Sequence, residues 1–214
     1  MKVLLALLAG LLLFRVIDPW PIETLRLKYF DALLTINEPV QSQNISLYNI
    51  DEEALAKGGQ WPWPRQQLAE LNRSLLDAGA AAVVYSVLFP EKDRFGGDAE
   101  FVESMTQVPT FLSAVATADT DRQEGWHIGV ATLGQVNENA INYPGIEAVR
   151  VPSFDTINTD AAGRVWIDWG TTFAQQPIEG TIMFVGVTAA GITPLVSTPR
   201  GLMYPHEIQA TLFE

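Results

Sequence analysis

The sequence predicts an α/β fold, with a three-layer-like αβα core and a mostly parallel sheet. An irregular middle insertion and an N-terminal hydrophobic helix complete this prediction. Residues 81–89 and 181–188 are largely apolar and contain β-branched and aromatic residues, as in strands buried on both faces. An amphipathic helical pattern at 64–78 lies between the alternating strand 44–50 and the run 81–89. This order of strand, helix and strand predicts a right-handed βαβ unit.

Length and composition limit the classes of protein that fit. The 214 residues suffice for one domain, and 48% apolar with 18% charged residues is typical of a globular chain. The net charge of −12 opposes a phosphate backbone, so we expect no nucleic-acid partner. The absence of cysteine excludes disulfides and thiolate-bound zinc. His127 and His206 share no ligand spacing and are interpreted as structural, so we expect neither metal nor cofactor.

The N-terminus carries the pattern of an export signal. Lys2 precedes twelve unbroken apolar residues, 3–14, which are fewer than the roughly 20 residues of an ordinary membrane span. Because no small-x-small cleavage site follows, we expect residues 1–20 to be an uncleaved membrane anchor. A cleaved signal is the alternative. The domain itself is then expected to be 21–214.

The first half of that domain has clear helix and strand signals. A helix is predicted over 22–36, followed by a polar loop over 37–44. Its apolar stripe is made by residues with helical spacing: Ile22, Leu25, Tyr29 and Leu33. Pro64 suits the first turn of the next helix, and Gly79 suits its C-terminal end. The WPWP turn at 61–64 is expected to complete the core with its indoles, although an aromatic ligand clamp is the alternative.

The second half is less regular. Asp98 is expected to cap a short helix. Further strands are predicted at 108–116, 127–132, 148–151 and 164–168. A loop follows the apolar run 181–188, and a final helix begins at Pro205. The glycines of GVTAAG (186–191) are expected to allow close packing and a turn, because the segment lacks the Lys-Ser/Thr pair of a phosphate loop.

The candidate binding residues follow from the predicted sheet. In open α/β sheets, ligands bind at the carboxyl ends of parallel strands. The polar residues expected at those ends or at the adjacent helix start are Asp51, Glu52, Arg65, Ser86 and Thr188. As an alternative, Asp51 or Glu52 caps a helix N-terminus. No nucleophile elbow, Walker A or zinc-protease motif occurs, so no catalytic residue is predicted, although the many carboxylates leave an exported hydrolase open.

An ordered set of segments resembles a known family, the second class of CHASE domains. The name denotes cyclase- and histidine-kinase-associated sensory extracellular domains. The segments are LRLKYFDALL (25–34), IDEEAL (50–55), WPWPR with its helix ending in AGA (61–80), VLFPE (87–91), VRVPS (149–153), MFVGVTAAGITPLVSTP (183–199) and EIQATL (207–212). The resemblance covers nearly everything from Pro21 to the C-terminus.

The resemblance implies a sensory input domain of a bacterial transmembrane signalling receptor. Such a domain would lie in the periplasm, held at the inner membrane by its N-terminal anchor and by helices after residue 214. An adenylate or diguanylate cyclase, a histidine kinase or a Ser/Thr kinase would follow, and the domain itself would not be an enzyme. Its expected partner is a small ligand or a periplasmic protein, and a homodimer is also open. The alternative is a structural or dimerisation module with no small ligand.

Three positions depart from the pattern of the family. Ser86 and Pro194 stand where relatives often carry acidic residues, and His206 stands where they often carry glycine. If those acids form a ligand or cation site in relatives, this chain keeps only Asp51 and its ligand is lost or altered. The turn around His206 would also differ.

Overall fold

A computed structural model of the chain describes residues 2–17, 20–89, 93–113 and 167–214. The expected strands at 127–132 and 148–151, His127 and the irregular middle insertion lie outside these ranges. Most of the expected strand 164–168 does as well, and its last two residues are not in a strand.

The described residues form helices and strands in the following order. The helices are α1 (Lys2–Ile17), α2 (Trp20–Ile36), α3 (Glu52–Gly58), α4 (Arg65–Asp77), α5 (Asp98–Gln107) and α6 (Pro205–Phe213). The strands are β1 (Val40–Ile50), β2 (Ala82–Tyr85), β3 (Thr110–Leu112), β4 (Thr171–Ala174), β5 (Ile182–Val187), β6 (Val196–Thr198) and β7 (Gly201–Met203).

Five strands make one parallel sheet in the order β3-β2-β5-β1-β4, and β6 with β7 forms a separate antiparallel hairpin. The predicted α/β class and mostly parallel sheet are confirmed. Strand β5 lies between β1 and β2, so the two strands of the predicted βαβ unit do not pair with each other. Because the strands are parallel, their ends define two edges, called here the carboxyl edge and the amino edge.

Helices cover both faces of the sheet. On one face, leucines of α4 and Phe101 of α5 pack with Val185 of β5. On the other face, Ala210 and Phe213 of α6 pack with Phe184 and with residues of β1. Residues alternate between the two faces along a strand, which explains why neighbours Phe184 and Val185 belong to different clusters. The three-layer arrangement follows from this alternation.

Several predicted boundaries are wrong. Strand β1 begins at Val40 rather than 44, because Val40 and Gln41 pair with the unpredicted strand β4. Strand β2 ends at Tyr85, although Phe89 beyond it is also buried. Strand β3 is limited to Thr110–Leu112. An apolar run in the sequence indicates that its residues are buried. In this fold, buried residues continue into loops beyond the last paired residue of the strand.

Local details of three other segments also differ from the predictions. Pro64 is the N-cap of α4 rather than a residue of its first turn, and Gly97, not Asp98, is the N-cap of α5. Residues 196–201, expected to belong to a loop, form most of the hairpin β6–β7. Gly79 follows the C-cap of α4 with a φ of 85°, as predicted for a glycine in that position.

The N-terminal helices present apolar side chains to solvent. Helix α1 spans Lys2–Ile17, and many of its leucines are exposed. Among the described helices, none combines the length and apolar character needed to cross a membrane. The structure therefore gives no support to the predicted N-terminal hydrophobic helix as a membrane span, and an anchor at residues 1–20 stays a prediction.

Candidate functional site

Asp51 follows β1 at the carboxyl edge and caps helix α3. Its carboxylate oxygen Oδ1 accepts a hydrogen bond from the backbone N–H of Ala54 at 2.9 Å, and its own backbone is extended. The alternative interpretation of Asp51 as a helix cap is confirmed. Burial raises the pKa of the neighbouring Tyr48, and the negative charge of Asp51 raises it further.

Glu52 and Thr188 join the ends of two neighbouring strands. Glu52 Oε1 accepts the backbone N–H of Ala190 at 2.7 Å, and the backbone N–H of Thr188 donates to the carbonyl of Ile50 at 3.0 Å. The carbonyl of Thr188 accepts the hydroxyl of Tyr204 at 2.8 Å. The structure therefore brings Asp51, Glu52 and Thr188 together, as predicted from the ends of β1 and β5.

Ser86 lies at the end of β2 and is turned towards α6. Its hydroxyl donates to the amide oxygen of Gln209, a residue of that helix. The departure from an acidic residue at this position therefore has a local explanation. A hydroxyl can donate to an amide oxygen, whereas an ionised carboxylate can only accept.

Arg65 begins α4 and is engaged in the loop between β2 and α5. Its guanidinium lies over the ring of Phe89, 4.4 Å from the centroid, and its Nε is 3.7 Å from Asp98 Oδ1. Burial lowers the pKa of Arg65, and the charges of Asp93 and Asp98 oppose that change. These contacts give Arg65 a structural role on the α4 side of the sheet, whereas Ser86 faces α6.

Asp93 organises this same loop. Its Oδ2 accepts the backbone N–H groups of Arg65 at 3.2 Å and Gly97 at 2.9 Å, so one carboxylate joins the starts of α4 and α5. Partial burial would raise the pKa of Asp93. The backbone hydrogen bonds and the Arg65 charge outweigh it, and the pKa is lowered.

A polar cluster, buried on α6 and half-buried at the strand ends, connects α6 to the carboxyl edge. We call Asn49, Ser86, His206 and Gln209 the α6 polar cluster. His206 Nε2 donates to Asn49 Oδ1 at 2.8 Å, which places the ring proton on Nε2. Burial lowers the pKa of His206 to about 4, so the ring is neutral at pH 7. With Ser86 bound to Gln209, the cluster ties the ends of β1 and β2 to one helix.

Gly186 of β5 makes room for this arrangement. A Cβ atom at Gly186 would lie 2.2 Å from His206 Nδ1, so any larger residue would displace the ring or the helix. The prediction that the GVTAAG glycines allow close packing and a turn is confirmed by Gly186 and by Gly191, which has a φ of 78°. His206 therefore occupies a space that depends on a glycine twenty residues earlier.

The WPWP segment also has the structural role predicted for it. Trp63 is buried in the core, and its Nε1–H donates to the carbonyl of Gly59 at 2.9 Å. The half-buried Trp61 packs beside it with ring centroids 6.0 Å apart. The indoles complete the core on the α4 face.

Sequence analysis did not identify Asn49 and Gln209, and it treated His206 only as structural. One pattern in the sequence could have identified His206 and Gln209 as a pair. His206 and Gln209 are three residues apart and therefore share a face of α6. Both polar side chains lie on the buried side of α6, and Gly186 of β5 leaves the space that His206 fills. Among the described residues, no group of three or more potential ligands could hold a metal ion.

Comparison with known families gave one match that spans nearly the whole chain. A family model for the CHASE2 domain matches residues 3–214. Comparisons with curated proteins and with solved structures gave no match. The chain therefore belongs to the CHASE2 family, the extracellular sensory domains of cyclase and kinase receptors, which are sensory rather than catalytic.

Proposed function

We propose that this chain is the periplasmic input domain of a bacterial receptor in the inner membrane, and that it relays a ligand or partner signal to a cyclase or kinase. Residues 1–20 anchor it, and membrane helices follow Glu214. The sensory region is the carboxyl edge, where Asp51, Glu52 and Thr188 meet. Membership of the CHASE2 family supports the sensory part of this proposal.

The position of α6, which runs from the carboxyl edge to the amino edge, supports the proposed relay. The helix starts at the carboxyl edge, where His206 and Gln209 are held by the ends of β1 and β2. It ends at the amino edge, where Glu214 Oε2 accepts the hydroxyl of Ser42 at 2.9 Å. A rigid helix of this kind can carry a shift at one edge to the other.

The N-terminal side of the chain reaches the same amino edge. Helix α2 leads directly into the start of β1, and the backbone N–H of Val40 donates to the carbonyl of Gly170 at 2.8 Å. Both connections that would lead to the membrane thus leave from one edge, and the candidate sensory loops lie at the opposite edge. A ligand must bind two states of the domain with different affinity for such a shift to occur.

A second candidate is a module that senses a protein partner and binds no small ligand. It is favoured by the hydrogen bonds at the carboxyl edge, because Asp51, Glu52 and Ser86 already contact protein groups. In that case the exposed loops around these residues would be the contact surface.

Two experiments test the relay. Reading the gene beyond the codon for Glu214 should reveal membrane-spanning segments and a cyclase or kinase module, and a stop codon there would overturn the proposal. In the full-length receptor, Gln209→Ala should change the basal output per folded molecule, because it releases α6 from Ser86.

The matched control is Gln107→Ala, which alters an exposed glutamine at the end of α5. Folded receptor is quantified by protease resistance in the same membranes. Unchanged output from Gln209→Ala, at equal folded amount, would contradict a relay through α6.

A further inference from the structure

Helix α2 carries an apolar stripe that faces away from the domain. The exposed fractions along it are 42% for Ile22, 67% for Leu25, 65% for Tyr29, 44% for Leu33 and 73% for Ile36. Ala32, which is three residues after Tyr29 and four residues before Ile36, is exposed as well. On the opposite side of the helix, Phe30 and Leu34 are half-buried. The side that packs inward is therefore not the stripe.

The spacing of the stripe selects a helix as its partner. Positions 22, 25, 29, 32 and 36 follow one another by three and four residues in alternation. This is the repeat with which two α-helices pack side by side, since each side chain of one helix fits between four of the other. A stripe of this kind contains both the projecting side chains and the spaces, so a second copy complements it.

The area of the stripe fits a weak pair. At roughly 60–250 Å² per apolar or aromatic side chain, the exposed fractions amount to about 400 Å² per copy and about 800 Å² for two copies. This total lies below the roughly 1,000 Å² that stable specific interfaces exceed, so we expect the pair to be weak and to depend on protein concentration.

The charges on α2 favour a second copy over a lipid surface. The helix carries two acidic residues, Glu23 and Asp31, and two basic residues, Arg26 and Lys28. A helix that lies on anionic lipid has an excess of basic residues on its polar face, which α2 lacks. Its balanced charge also adds no net repulsion between two copies, although each chain carries −12 overall.

We infer that two copies of this chain associate through the α2 stripe in a two-fold helix pair, and the membrane anchor of the proposed function makes that pair parallel, since both N-termini then enter the same membrane. Equal positions meet in such a pair, so Leu25 lies against Leu25 and Ile36 against Ile36 of the second copy. Both N-terminal segments then leave in the same direction. This inference does not depend on the sensory role of the carboxyl edge or on the identity of any ligand.

Cysteine cross-linking tests the pairing directly, because the chain contains no cysteine. The full chain in detergent solution would carry Leu25→Cys or Ile36→Cys and be oxidised under mild conditions. Leu202→Cys is the matched control, since Leu25 and Leu202 are both 67% exposed. We expect disulfide-linked dimer to form severalfold more in both stripe variants than in the control. Equal yields in all three would overturn the inference.

A variant with added charges tests the same contact without a chemical cross-link. The double variant Leu25→Glu with Ile36→Glu should be monomeric by sedimentation at concentrations where the native chain and Leu202→Glu associate. A dimer that persists in the double variant has its contact elsewhere and overturns the inference. A native chain that is monomeric, yet binds phosphatidylglycerol vesicles through Leu25 and Ile36, assigns the stripe to lipid and also overturns it.

Discussion

Asp51 combines a helix cap with a negative charge, and two substitutions separate these roles. Asparagine caps helices about as well as aspartate, so Asp51→Asn removes the charge and keeps the cap, whereas Asp51→Ala removes both. We expect Asp51→Ala to lower the free energy of unfolding by about 0.5–2 kcal/mol and Asp51→Asn to change it by less than about 0.5 kcal/mol. Urea denaturation measures both changes.

The output of the full receptor then decides whether the charge senses anything. A change in output with Asp51→Asn, at full stability, supports a sensory role for the carboxylate. If output follows only the amount of folded protein in both variants, Asp51 is a cap and no more. Glu53→Gln is the control, because the contact of Glu53 within the described part of the chain is an exposed pair with Lys57, at 2.6 Å.

His206 should make the domain less stable in mild acid. Its pKa is lowered from 6.5 to about 4 in the folded chain, so between those values the unfolded state binds more protons. The contribution of His206 is therefore complete above about pH 6.5 and is lost as the pH falls towards 4. His206→Gln removes this titration and should show a smaller loss of stability between pH 7 and pH 5.

Denaturation of both proteins at several pH values measures this difference in slope, which is independent of any constant loss caused by the substitution. Carboxylates contribute equally to both curves and cancel. Parallel curves for the native chain and His206→Gln would show that the ring is not held neutral by burial.

At the scale of single residues, sequence reasoning reached those roles that depend on near neighbours. The cap by Asp51 involves a residue three positions away, and the turn at Gly79 lies at the end of its own helix. The pairing of Ser86 with Gln209 spans 123 residues and depends on which helix covers which face. No local pattern carries that information.

Among the elements, the hairpin β6–β7 holds α2 to the domain through one side chain. Arg200 Nε donates to the carbonyl of Trp169 at 2.7 Å, and its Nη2 donates to the carbonyls of Leu34 at 2.8 Å and Asn37 at 3.1 Å. One guanidinium thus satisfies acceptors at the end of α2 and before β4. Its planar set of donors suits this task better than an ammonium group.

Arg200→Ala should therefore loosen the end of α2 without unfolding the core. We expect faster hydrogen exchange of backbone amides over 34–42, with exchange in β5 unchanged, because the guanidinium of Arg200 donates to carbonyls near α2 and before β4. Mass-spectrometric exchange measures both regions at once. Arg94→Ala is the control, since Arg94 is exposed in a loop. Equal exchange over 34–42 in all three proteins would contradict this role.

The helices and strands differ in how clearly the sequence predicts them. Helix α4 was predictable because its leucines repeat on one face, and β5 because it is buried on both. Strand β4 was missed, since Thr171–Ala174 is short, only partly buried and lacks an apolar run. The hairpin was missed because its strands have three residues each and are largely exposed. Short exposed strands form through tertiary context rather than local preference.

For the molecule as a whole, β5 joins two halves that would otherwise be separate. It pairs with β1 on one side and β2 on the other, and its side chains enter the clusters on both faces. Phe184→Ala should lower the free energy of unfolding by about 3–5 kcal/mol, as for other buried aromatic residues. Hydrogen exchange should accelerate in β1 and β2 together.

The control for that substitution is Phe95→Ala, because Phe95 is exposed and its loss should change stability by less than about 0.5 kcal/mol. Acceleration confined to β1, with β2 protected as before, would show that the halves of the sheet unfold independently.

The central position of β5 also has a consequence for the order of events during synthesis. Strands β1 and β2 leave the ribosome long before β5, whose residues 182–187 come late in the domain. Until then, each early strand has an unpaired edge where β5 will lie. The sheet can close only after most of the domain has been made, so the domain is poorly suited to fold before β5 has been translated. A domain that stays open until β5 has been made can pass through a narrow export channel before it folds.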